Sequence, residues 1–378
     1  MTSMDREIEE LLTRGVVEII DQKKLEKKLA AGKKLRVKLG IDPTSPNLHL
    51  GRSVPLFKMR DFQNLGHTAV LIVGDFTGVI GDTSDKESER PILSRETIEE
   101  NKKHYFDQIG KIVDLKKAEL RYNSEWLEGL TYREIGEHAD QFSLSDFIDR
   151  DNIKRRLDMG KRVSLRETLY PLMQGYDSVA VEADVELGGV DQRFNLLAGR
   201  ILQEHFGKDP QSLVITTFPI LGLDGRKMSS SWGNTINFTD PAGEMYGKIM
   251  SMADSQVSDY FRICTRIPID EIGAIEQKHP KEAKMRLAFE ITKIYHGEKA
   301  SKDAEKDFEE IFSKGGVPKD IETVKIDKNT PLVEVFLKHK LVASKSEFNR
   351  LNKEGAIKEI EGGVYRIGKH RFLKIETL

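Results

Sequence analysis

Residues 40–52 read GIDPTSPNLHLGR, and this stretch decides the fold prediction. It follows an apolar run at residues 35–41, LRVKLGI, and leads into helical spacing over residues 49–65. A second apolar run, AVLIV, occupies residues 69–73. A strand, a helix and another strand in this order predict a right-handed crossover between parallel strands. We therefore expect a doubly wound α/β fold, in which ligands bind at the carboxyl ends of the strands.

Composition limits the class of protein. The 378-residue chain has the length of two or three domains. Its hydrophobic residues amount to 38%, which suits a buried core and excludes a disordered chain. The 60 basic and 62 acidic residues leave a net charge of −2, which excludes a histone-like basic body. A single cysteine, Cys264, excludes an intrachain disulfide and a cysteine-based zinc ribbon, and we expect it to be buried.

No apolar run approaches the ~20 residues that a membrane-spanning helix needs. The first ten residues, MTSMDREIEE, are charged where a signal peptide requires an apolar core. We therefore expect a cytoplasmic protein that does not enter the membrane.

The later chain changes character twice. Further strands are predicted near residues 181–187, VEADVEL, and 213–221, LVITTFPIL. Residues 241–312 carry helical spacing, and SKGGVPKD at 313–320 has the composition of a linker. Residues 331–378 have a net charge of +4, whereas the preceding residues sum to −6. The prediction is a Rossmann-like domain over 1–235, an α-helical domain over 236–320 and a small basic α+β module over 329–378, whose charge is the footprint expected of local contact with phosphates.

Two loops are suited to phosphate binding. In the first, His49 and Gly51 open a helix, whose free N–H groups favour a phosphate, and glycine admits close approach of a purine. The second, GRKMSSSWGN at residues 225–234, combines a lysine with three hydroxyl groups in a flexible loop able to clamp a triphosphate. Taken alone, each signal is weak, because a histidine at a helix start is usually a cap and a serine-rich turn is usually solvated.

Together, the HLGR and KMSSS stretches resemble the HIGH and KMSKS motifs of class I aminoacyl-tRNA synthetases. The likeness extends to AVLIVGDFTGVIGDTSDKESER at residues 69–90 and to YPLMQGYD and GGVDQRFN within residues 170–195. Over nearly the whole chain, the sequence is similar to the bacterial tyrosyl-tRNA synthetases. The resemblance implies a homodimeric enzyme that activates tyrosine with ATP and Mg²⁺ and transfers it to tRNA(Tyr), with the metal carried by the phosphates.

The tyrosine pocket is predicted on one helix. Tyr170, Gln174 and Asp177 are spaced i, i+4 and i+7, so on a helix their polar ends form one stripe. Asp177 can accept a hydrogen bond from a phenol, and the other two can hold the ammonium and carboxylate ends of an amino acid. The alternative is an ordinary helix with a solvated polar face. A site that binds a substrate hydroxyl rejects the analogue lacking it by about 10⁵, for which tyrosyl synthetase against phenylalanine is the standard example, so no editing domain is required.

The resemblance also implies roles for residues outside that helix. Asp82 corresponds to a residue that holds the substrate ammonium, and Gln192 to one on its carboxylate side. Gly40 and Asp42 border the amino acid or the adenosine.

The resemblance places the phosphate contacts at the two motifs. Thr44 and His49 match positions that grip the γ-phosphate side in the transition state, and Lys227 matches the cation of the mobile loop. Lys86 and Arg90 are candidates on the opposite wall, although charge runs are usually solvated surface. The predicted ATP contacts are His49, Gly51, Arg52, Lys227, Met228, Ser229, Ser230 and Ser231.

Three positions depart from the family pattern. Arg52 replaces the second histidine of the first motif, where a guanidinium can take over the ribose contact. Ser230 replaces the second lysine of KMSKS, so that one phosphate contact is missing or comes from Arg226. Lys38 stands where some members place a tyrosine against the substrate hydroxyl, so recognition of that hydroxyl depends more on Asp177.

The final module resembles the small RNA-binding fold that ends bacterial tyrosyl enzymes. Its predicted phosphate contacts are Lys338, Lys345, Arg350 and Lys353, which would make tRNA binding fall with salt. The basic run IKRRLDMGKR at residues 153–162 is interpreted as a solvated helix face, with a place near the tRNA acceptor end or at the subunit interface as the alternative.

Three alternatives remain for the function. A tryptophanyl enzyme shares both phosphate motifs but has no need of the stripe that ends in Asp177. A catalytically silent RNA-binding relative would keep the last module and lose the chemistry, against which His49 and Lys227 argue. A generic nucleotidyltransferase leaves the helical domain and the basic module unexplained.

Overall fold

The computed structural model describes residues 3–84, 93–217, 220–314, 321–327, 330–339, 341–342, 344–360, 362–368 and 371–377. Within these ranges it contains two sheets, of six and four strands, with helices packed around them.

The larger sheet belongs to the first part of the chain. Its strands are β1 (Val16–Ile20), β2 (Arg36–Ile41), β3 (Thr68–Val73), β4 (Ala118–Tyr122), β5 (Val185–Gly189) and β6 (Ser212–Thr216). They are arranged in the order β1-β6-β5-β2-β3-β4. All neighbouring pairs are parallel except β1 with β6. The predicted α/β fold with a mainly parallel sheet is therefore confirmed.

The strand order creates a crevice between β2 and β5. From β2 the chain builds outward through β3 to β4, and from β5 it builds in the opposite direction to β6. The connections therefore diverge above the carboxyl ends of β2 and β5, which is where open α/β sheets bind ligands.

Four details of the sheet differ from the sequence prediction. The antiparallel edge strand β1 and the strand at the other edge, β4, were not predicted, because a run of five residues carries little periodicity. The strand expected over 181–187 begins only at Val185, since the preceding helix extends to Ala180 and Glu182 then turns the chain with a φ of 49°. The strand expected over 213–221 ends at Thr216.

Twelve helices accompany this sheet in the described part of the chain. They are α1 (Ser3–Thr13), α2 (Gln22–Ala30), α3 (Leu50–Asn64), α4 (Thr77–Ile80), α5 (Arg95–Lys102), α6 (Tyr105–Ile109), α7 (Ser124–Leu127), α8 (Tyr132–Ala139), α9 (Leu144–Ile148), α10 (Asp151–Asp158), α11 (Leu165–Ala180) and α12 (Arg193–His205). The two that carry the motifs have defined starts. His49 caps α3, and Ser164 with Glu167 forms a capping box at the start of α11.

The next segment is helical. It contains α13 (Ala242–Ser251), α14 (Val257–Cys264), α15 (Ile269–Glu276) and α16 (Pro280–Lys314). The last helix is interrupted at Gly297, whose φ of 84° lies outside the helical region. Met245, Ile249 and Leu287 are buried in the same core as the large sheet. Each such burial contributes ~1.5–3 kcal/mol, so these helices are fastened to the sheet by a shared apolar core.

The last part of the chain has its own sheet and core. Its strands, in the order β7-β10-β9-β8, are β7 (Thr323–Ile326), β8 (Ile357–Glu359), β9 (Val364–Ile367) and β10 (Arg371–Thr377). Two helices, α17 (Leu332–Lys338) and α18 (Lys345–Lys353), precede the hairpin. Phe336, Leu351, Ile367 and Leu373 belong to a core cluster separate from that of the large sheet.

Candidate functional site

A cavity of about 910 Å³, counted to its open mouth, lies at the carboxyl ends of β2, β3 and β5. We call it the inner cavity. Its wall includes all seven residues predicted from the sequence to contact the amino acid: Gly40, Asp42, Asp82, Tyr170, Gln174, Asp177 and Gln192. Residues separated by up to 152 positions in the chain therefore meet at the crevice that the strand order creates.

Helix α11 lines one side of the inner cavity with Tyr170, Gln174 and Asp177. The Tyr170 hydroxyl donates to Asp42 Oδ2 at 2.8 Å. Burial and the neighbouring Asp42 carboxylate raise the pKa of Tyr170 well above its ordinary value. The phenol of Tyr170 therefore stays protonated and acts as a donor.

Asp177 is a buried carboxyl group at one end of the α11 stripe, with only 3% of its surface exposed. Trp126 Nε1 donates to its Oδ1 at 2.8 Å, and Asn123 Nδ2 approaches its Oδ2 at 3.4 Å. Burial raises the pKa of Asp177 to about 7, while the charge of Lys38 and these two donors act in the opposite direction. The carboxyl group is thus poised to change its charge near neutral pH.

Asp82 faces the cavity in a chain of hydrogen bonds. Gln192 Nε2 donates to Asp82 Oδ2 at 2.7 Å, and Ser84 donates to the other carboxylate oxygen. Asn195 Nδ2 lies 3.1 Å from both Gln192 Oε1 and Gln174 Oε1. The amides are therefore oriented, and the Asp82 carboxylate lies on the cavity wall, where it favours a cationic group.

Glu167, the capping residue of α11, anchors the loop that carries Asp82. Its carboxylate accepts from Arg156 at 2.5 Å and from the Thr83 hydroxyl at 2.7 Å. Burial alone would raise the pKa of Glu167, but these donors hold it below its ordinary value. The helix start and the Asp82 loop are consequently held by one ionised group.

Asp42 stands between the tyrosine-lined wall and the outer part of the site. Its Oδ1 accepts from the Thr77 hydroxyl at 2.7 Å, opposite the bond from Tyr170. A β-carbon at Gly74 would overlap both Asp42 Oδ1 and Thr77 Oγ1, so only glycine fits there.

A second cavity, of about 650 Å³, adjoins the first, and we call it the outer cavity. The two share Asp42, Thr44 and Arg52. The predicted residues on the outer wall are Thr44, His49, Arg52, Lys227, Met228, Ser229, Ser230 and Ser231. Backbone bonds from Leu50 to Ile236 (2.9 Å) and from Phe238 to Leu48 (2.8 Å) join the segments that carry the two motifs.

His49 is both a helix cap and a cavity residue. Its Nδ1 accepts from the Gly51 N–H at 3.2 Å. Burial lowers the pKa of His49 to about 3, and the charges of Arg52 and Lys227 act in the same direction. The imidazole is therefore neutral, with Nδ1 as acceptor, so the ring proton is on Nε2, where it can donate to an anion.

Asn234 holds the KMSSS loop in a closed turn. Its Nδ2 donates to Asp224 Oδ1 at 2.7 Å and to the Lys227 carbonyl at 3.0 Å, and its Oδ1 accepts from the Ser229 N–H at 2.9 Å. One side chain thus binds the loop backbone at both Lys227 and Ser229.

Comparison with known proteins identifies the family. Residues 6–313 match the family described as tRNA synthetases class I (W and Y). The chain belongs to this family. The resemblance stated from the two motifs is thereby confirmed.

Proteins named tyrosine–tRNA ligase are similar along almost the entire synthetase chain. That of Thermotoga maritima is 42% identical, and the alignment covers 97% of this chain and 96% of the relative. That of Oleidesulfovibrio alaskensis is also 42% identical, and the alignment covers 98% of this chain and 99% of the relative.

Solved structures share the fold of this synthetase. The C-terminally truncated mitochondrial tyrosyl-tRNA synthetase of Aspergillus nidulans superposes with a TM-score of 0.69 at 21% identity, covering 82% of this chain and 95% of the other. The tyrosyl-tRNA synthetase of Archaeoglobus fulgidus complexed with L-tyrosine superposes with a TM-score of 0.64 at 21% identity. The superposition covers 80% of this chain and 100% of the other.

The structure shows the surroundings of Arg52 and Arg226, the two arginines proposed to replace missing motif contacts. Arg52 borders both cavities of the synthetase, and its guanidinium makes no hydrogen bond or ion pair with a described residue. Arg226, the alternative phosphate contact, is paired with Asp224 at 2.5 Å, lies over the Trp232 ring at 4.7 Å and does not line the outer cavity. Arg52 is the better placed of the two.

Several predicted residues lie away from the cavities. Gly51 is buried behind His49 in the first turn of α3 and lines neither cavity. Lys86 and Arg90 lie outside the described residues. The four predicted tRNA contacts, all exposed on α17 and α18, are Lys338, Lys345, Arg350 and Lys353.

The interpretation of residues 153–162 as a solvated helix face is wrong for part of the run. Ile153 and Arg156 are buried, and Arg156 pairs with Glu167. Although α10 has only eight residues, one of its faces is buried. Arg156 is accommodated on this buried face because the Glu167 carboxylate pairs with its guanidinium.

Some cavity residues of the synthetase were not predicted. Thr77 and Asn123 line the inner cavity, Trp126 binds its Asp177 carboxyl, and Asn234 binds polar groups of the KMSSS loop. Thr77 and Asn234 lie within the quoted stretches 69–90 and 225–234 but were given no role, and Asn123 and Trp126 lie outside all the quoted stretches. The position of Asn123 directly after β4 is the one available signal, because the carboxyl ends of parallel strands share an edge.

Proposed function

We propose that this synthetase is a tyrosine–tRNA ligase, which converts L-tyrosine and ATP to tyrosyl-adenylate and pyrophosphate and then transfers the tyrosine to tRNA(Tyr). The observation that carries the proposal is the buried Asp177 carboxyl at the floor of the inner cavity, oriented by Trp126 and Asn123. An amino acid without a side-chain donor would bury the cavity side of this carboxyl group without a further hydrogen bond, which costs binding energy. The names of the relatives support the same assignment.

In the proposed complex, tyrosine lies along the inner cavity. Its phenol donates to Asp177, and its ammonium group is bound by Asp82 and by the Tyr170 and Gln174 side chains. Gln192 is on the carboxylate side. The substrate carboxylate then points to the boundary with the outer cavity, where Asp42, Thr44 and Arg52 stand.

The outer cavity receives ATP as its Mg²⁺ complex, with the metal carried by the phosphates. A tyrosine carboxylate oxygen attacks the α-phosphorus, a new P–O bond forms, and the bond to the β-phosphate oxygen breaks with release of pyrophosphate. The charge that develops on the leaving phosphates is stabilised by His49 Nε2–H, the Thr44 hydroxyl and the Lys227 ammonium. Lys86 and Arg90 are proposed to act from the opposite wall.

Transfer follows when a ribose hydroxyl of the tRNA end attacks the activated carbonyl and AMP leaves. The proposed tRNA-binding parts are the helical segment within 236–320 and the small basic module within 329–378, with 1–235 as the catalytic domain. Support comes from the exposed cations of α17 and α18.

We also propose a homodimer in the cytoplasm. The most exposed large apolar side chains, Tyr132 (94%), Leu165 (79%) and Leu144 (63%), fall in one stretch of the described sequence. Exposed apolar side chains that form a contiguous patch are typical of a protein interface, and we propose that these three contribute to one. In the described residues, no helix combines the length and apolar character needed to cross a bilayer.

The test is pyrophosphate exchange into ATP with tyrosine, phenylalanine or tryptophan, using the wild type and Asp177→Ala. Exchange that requires tyrosine, ignores phenylalanine and falls at least about 100-fold in the variant supports the proposal. Exchange with tryptophan would reassign the substrate. No exchange with any of the three would favour the silent RNA-binding relative.

A further inference from the structure

Lys38 is a buried lysine that the proposed reaction does not use. It lies on β2, is fully buried and does not line the inner cavity. Its ammonium donates to the Gln174 carbonyl at 2.8 Å and to the Ser178 hydroxyl at 2.7 Å. All its donors are therefore directed at α11 and at one carboxylate, Glu186, 2.8 Å away on β5.

The carboxylate that pairs with Lys38 is itself fully bonded. Glu186 is the register neighbour of Lys38 across the parallel pair β2–β5. It also accepts from the Ser178 hydroxyl at 3.0 Å and from the Gln211 amide. Gly199 makes room for the group, because a β-carbon there would come within 2.6 Å of Gln211 Nε2 and 2.8 Å of Ser178 Oγ.

A buried ion pair is weak evidence for stability, because desolvation of two charges offsets much of their attraction. The position of this pair suggests another role. Gln174 and Ser178 enclose the helical turn that presents Asp177, and Gln174 also faces the substrate cavity. The ammonium of Lys38 therefore binds the backbone and side chain on either side of the hydroxyl-recognising residue.

We propose that Lys38 is a positioning residue for tyrosine recognition, which acts through α11 by holding the turn from Gln174 to Ser178 and by placing a positive charge behind Asp177. The inference depends on the proposed function, since it concerns the binding of the tyrosine hydroxyl. It also explains how a lysine can replace a hydroxyl-binding tyrosine at position 38, because the lysine supports Asp177 from behind the pocket wall.

The charges around Asp177 determine the direction in which each substitution should shift its pKa. Lys38 lowers the pKa of Asp177, and Glu186 raises it. The other ionisable groups that line this cavity are Asp42, Arg52, Asp82, Tyr170 and Asp191. A charged acceptor binds the phenol best, so tyrosine affinity should rise with pH as Asp177 ionises. Removal of Lys38 should move that rise to higher pH, and neutralisation of Glu186 should move it to lower pH.

The experiment compares the wild type, Lys38→Met, Glu186→Gln and the neutral double variant Lys38→Met/Glu186→Gln. The KM values for tyrosine and ATP are measured by pyrophosphate exchange from about pH 6 to about pH 9, with tyrosine binding by tryptophan fluorescence as a second readout. Lys58→Met is the matched control, because Lys58 is equally buried and binds the Leu11 carbonyl away from both cavities.

We expect Lys38→Met to raise the KM for tyrosine about fivefold at pH 7, because a shift of about one unit from a pKa of about 7 lowers the ionised fraction of Asp177 from about one half to about one tenth. The KM for ATP should stay within about twofold. The pH midpoints of Lys38→Met and Glu186→Gln should shift in opposite directions. The double variant, which leaves no lone buried charge, keeps the test available if Lys38→Met does not fold.

Two results would overturn the inference. One is a wild-type KM for tyrosine at every pH in the Lys38 variants, with only the loss of thermal stability that Lys58→Met also shows. The other is a shift of both midpoints in the same direction. Failure of the wild type to exchange with tyrosine would instead contradict the proposed function, so the two failures are distinguishable.

Discussion

At the residue scale, His49 combines a structural and a chemical role. Because its Nδ1 caps α3 and its pKa is about 3, the ring is a fixed neutral donor through Nε2 at all pH values near neutrality. A neutral imidazole is desolvated at lower cost than a charged one when ATP fills the cavity. The positive charge on this wall is left to Lys227 and Arg52.

His49→Ala should lower kcat of pyrophosphate exchange about 10²- to 10³-fold, because one donor to the developing phosphate charge is removed. The KM for tyrosine should change little. In the wild type, kcat should show no titration of His49 near neutrality, since its pKa of about 3 lies well below that range. Measurement of kcat from about pH 5 to about pH 9 checks this, and a loss of activity below neutral pH that is absent in the variant would contradict it.

Arg52 and Arg226 give a matched pair of arginines. Arg52→Ala should lower kcat about 10- to 100-fold, which corresponds to loss of a charged hydrogen bond of ~1.5–3 kcal/mol. Arg226→Ala should stay within about threefold, because Asp224 and Trp232 already hold that guanidinium away from the outer cavity. Equal losses in the two variants, measured by saturation kinetics with ATP, would show that the loop rearranges to bring Arg226 onto the phosphates.

At the element scale, the conformation of the KMSSS loop depends on a single side chain. Asn234→Ala should release the turn around Lys227 and Ser229, because the three hydrogen bonds of the Asn234 amide are removed. We expect kcat to fall about tenfold or more, with the KM for tyrosine unchanged, since the inner cavity is not touched. Asn237→Ala, which removes a bond to Asp240 outside the motif, is the control. A raised KM for tyrosine in Asn234→Ala would contradict the expectation that the loop affects kcat without affecting tyrosine binding.

Helix α11 shows how much one element can carry. Its capping box starts the helix, its middle turn lines the inner cavity, and its inner face receives the Lys38 ammonium. The same Glu167 that completes the cap also binds Arg156 and the Asp82 loop. The geometry of the inner cavity therefore depends on the start of the helix as well as on the stripe that lines the cavity.

At the scale of the whole molecule, the separate core of the last sheet predicts that tRNA binding can be weakened without harm to activation. Replacement of Lys338, Lys345 and Lys353 by alanine should leave pyrophosphate exchange unchanged. It should reduce the slope of log K against log salt for tRNA binding by about 2 to 3, at ~0.7–0.9 for each phosphate that is no longer neutralised. The exposed Lys23, Lys27 and Lys34, replaced together, are the charge-matched control. An equal change of slope in both triple variants would contradict a specific role for the module.

The sequence by itself determined the class of fold and predicted many of the residues that line the two cavities. Strand and helix periodicities are local, so the crossover from β2 through α3 to β3 follows from residues 35–73 alone. The stripe on α11 is also local, because a helix brings positions i, i+4 and i+7 to one face.

Only the tertiary structure decided which distant groups became partners. The pairing of Lys38 with Glu186 depends on β2 and β5 becoming neighbours, although the two residues are far apart in the chain, and the donors to Asp177 come from the segment after β4. The antiparallel strand β1 and the buried Arg156 also depend on partners distant in the fold or on another helix. Strand β1 pairs with β6, and Arg156 pairs with Glu167 of α11. Local patterns set backbone conformation and the face of each element, whereas strand order sets the environment, and the environment sets the charge of Asp177 and His49.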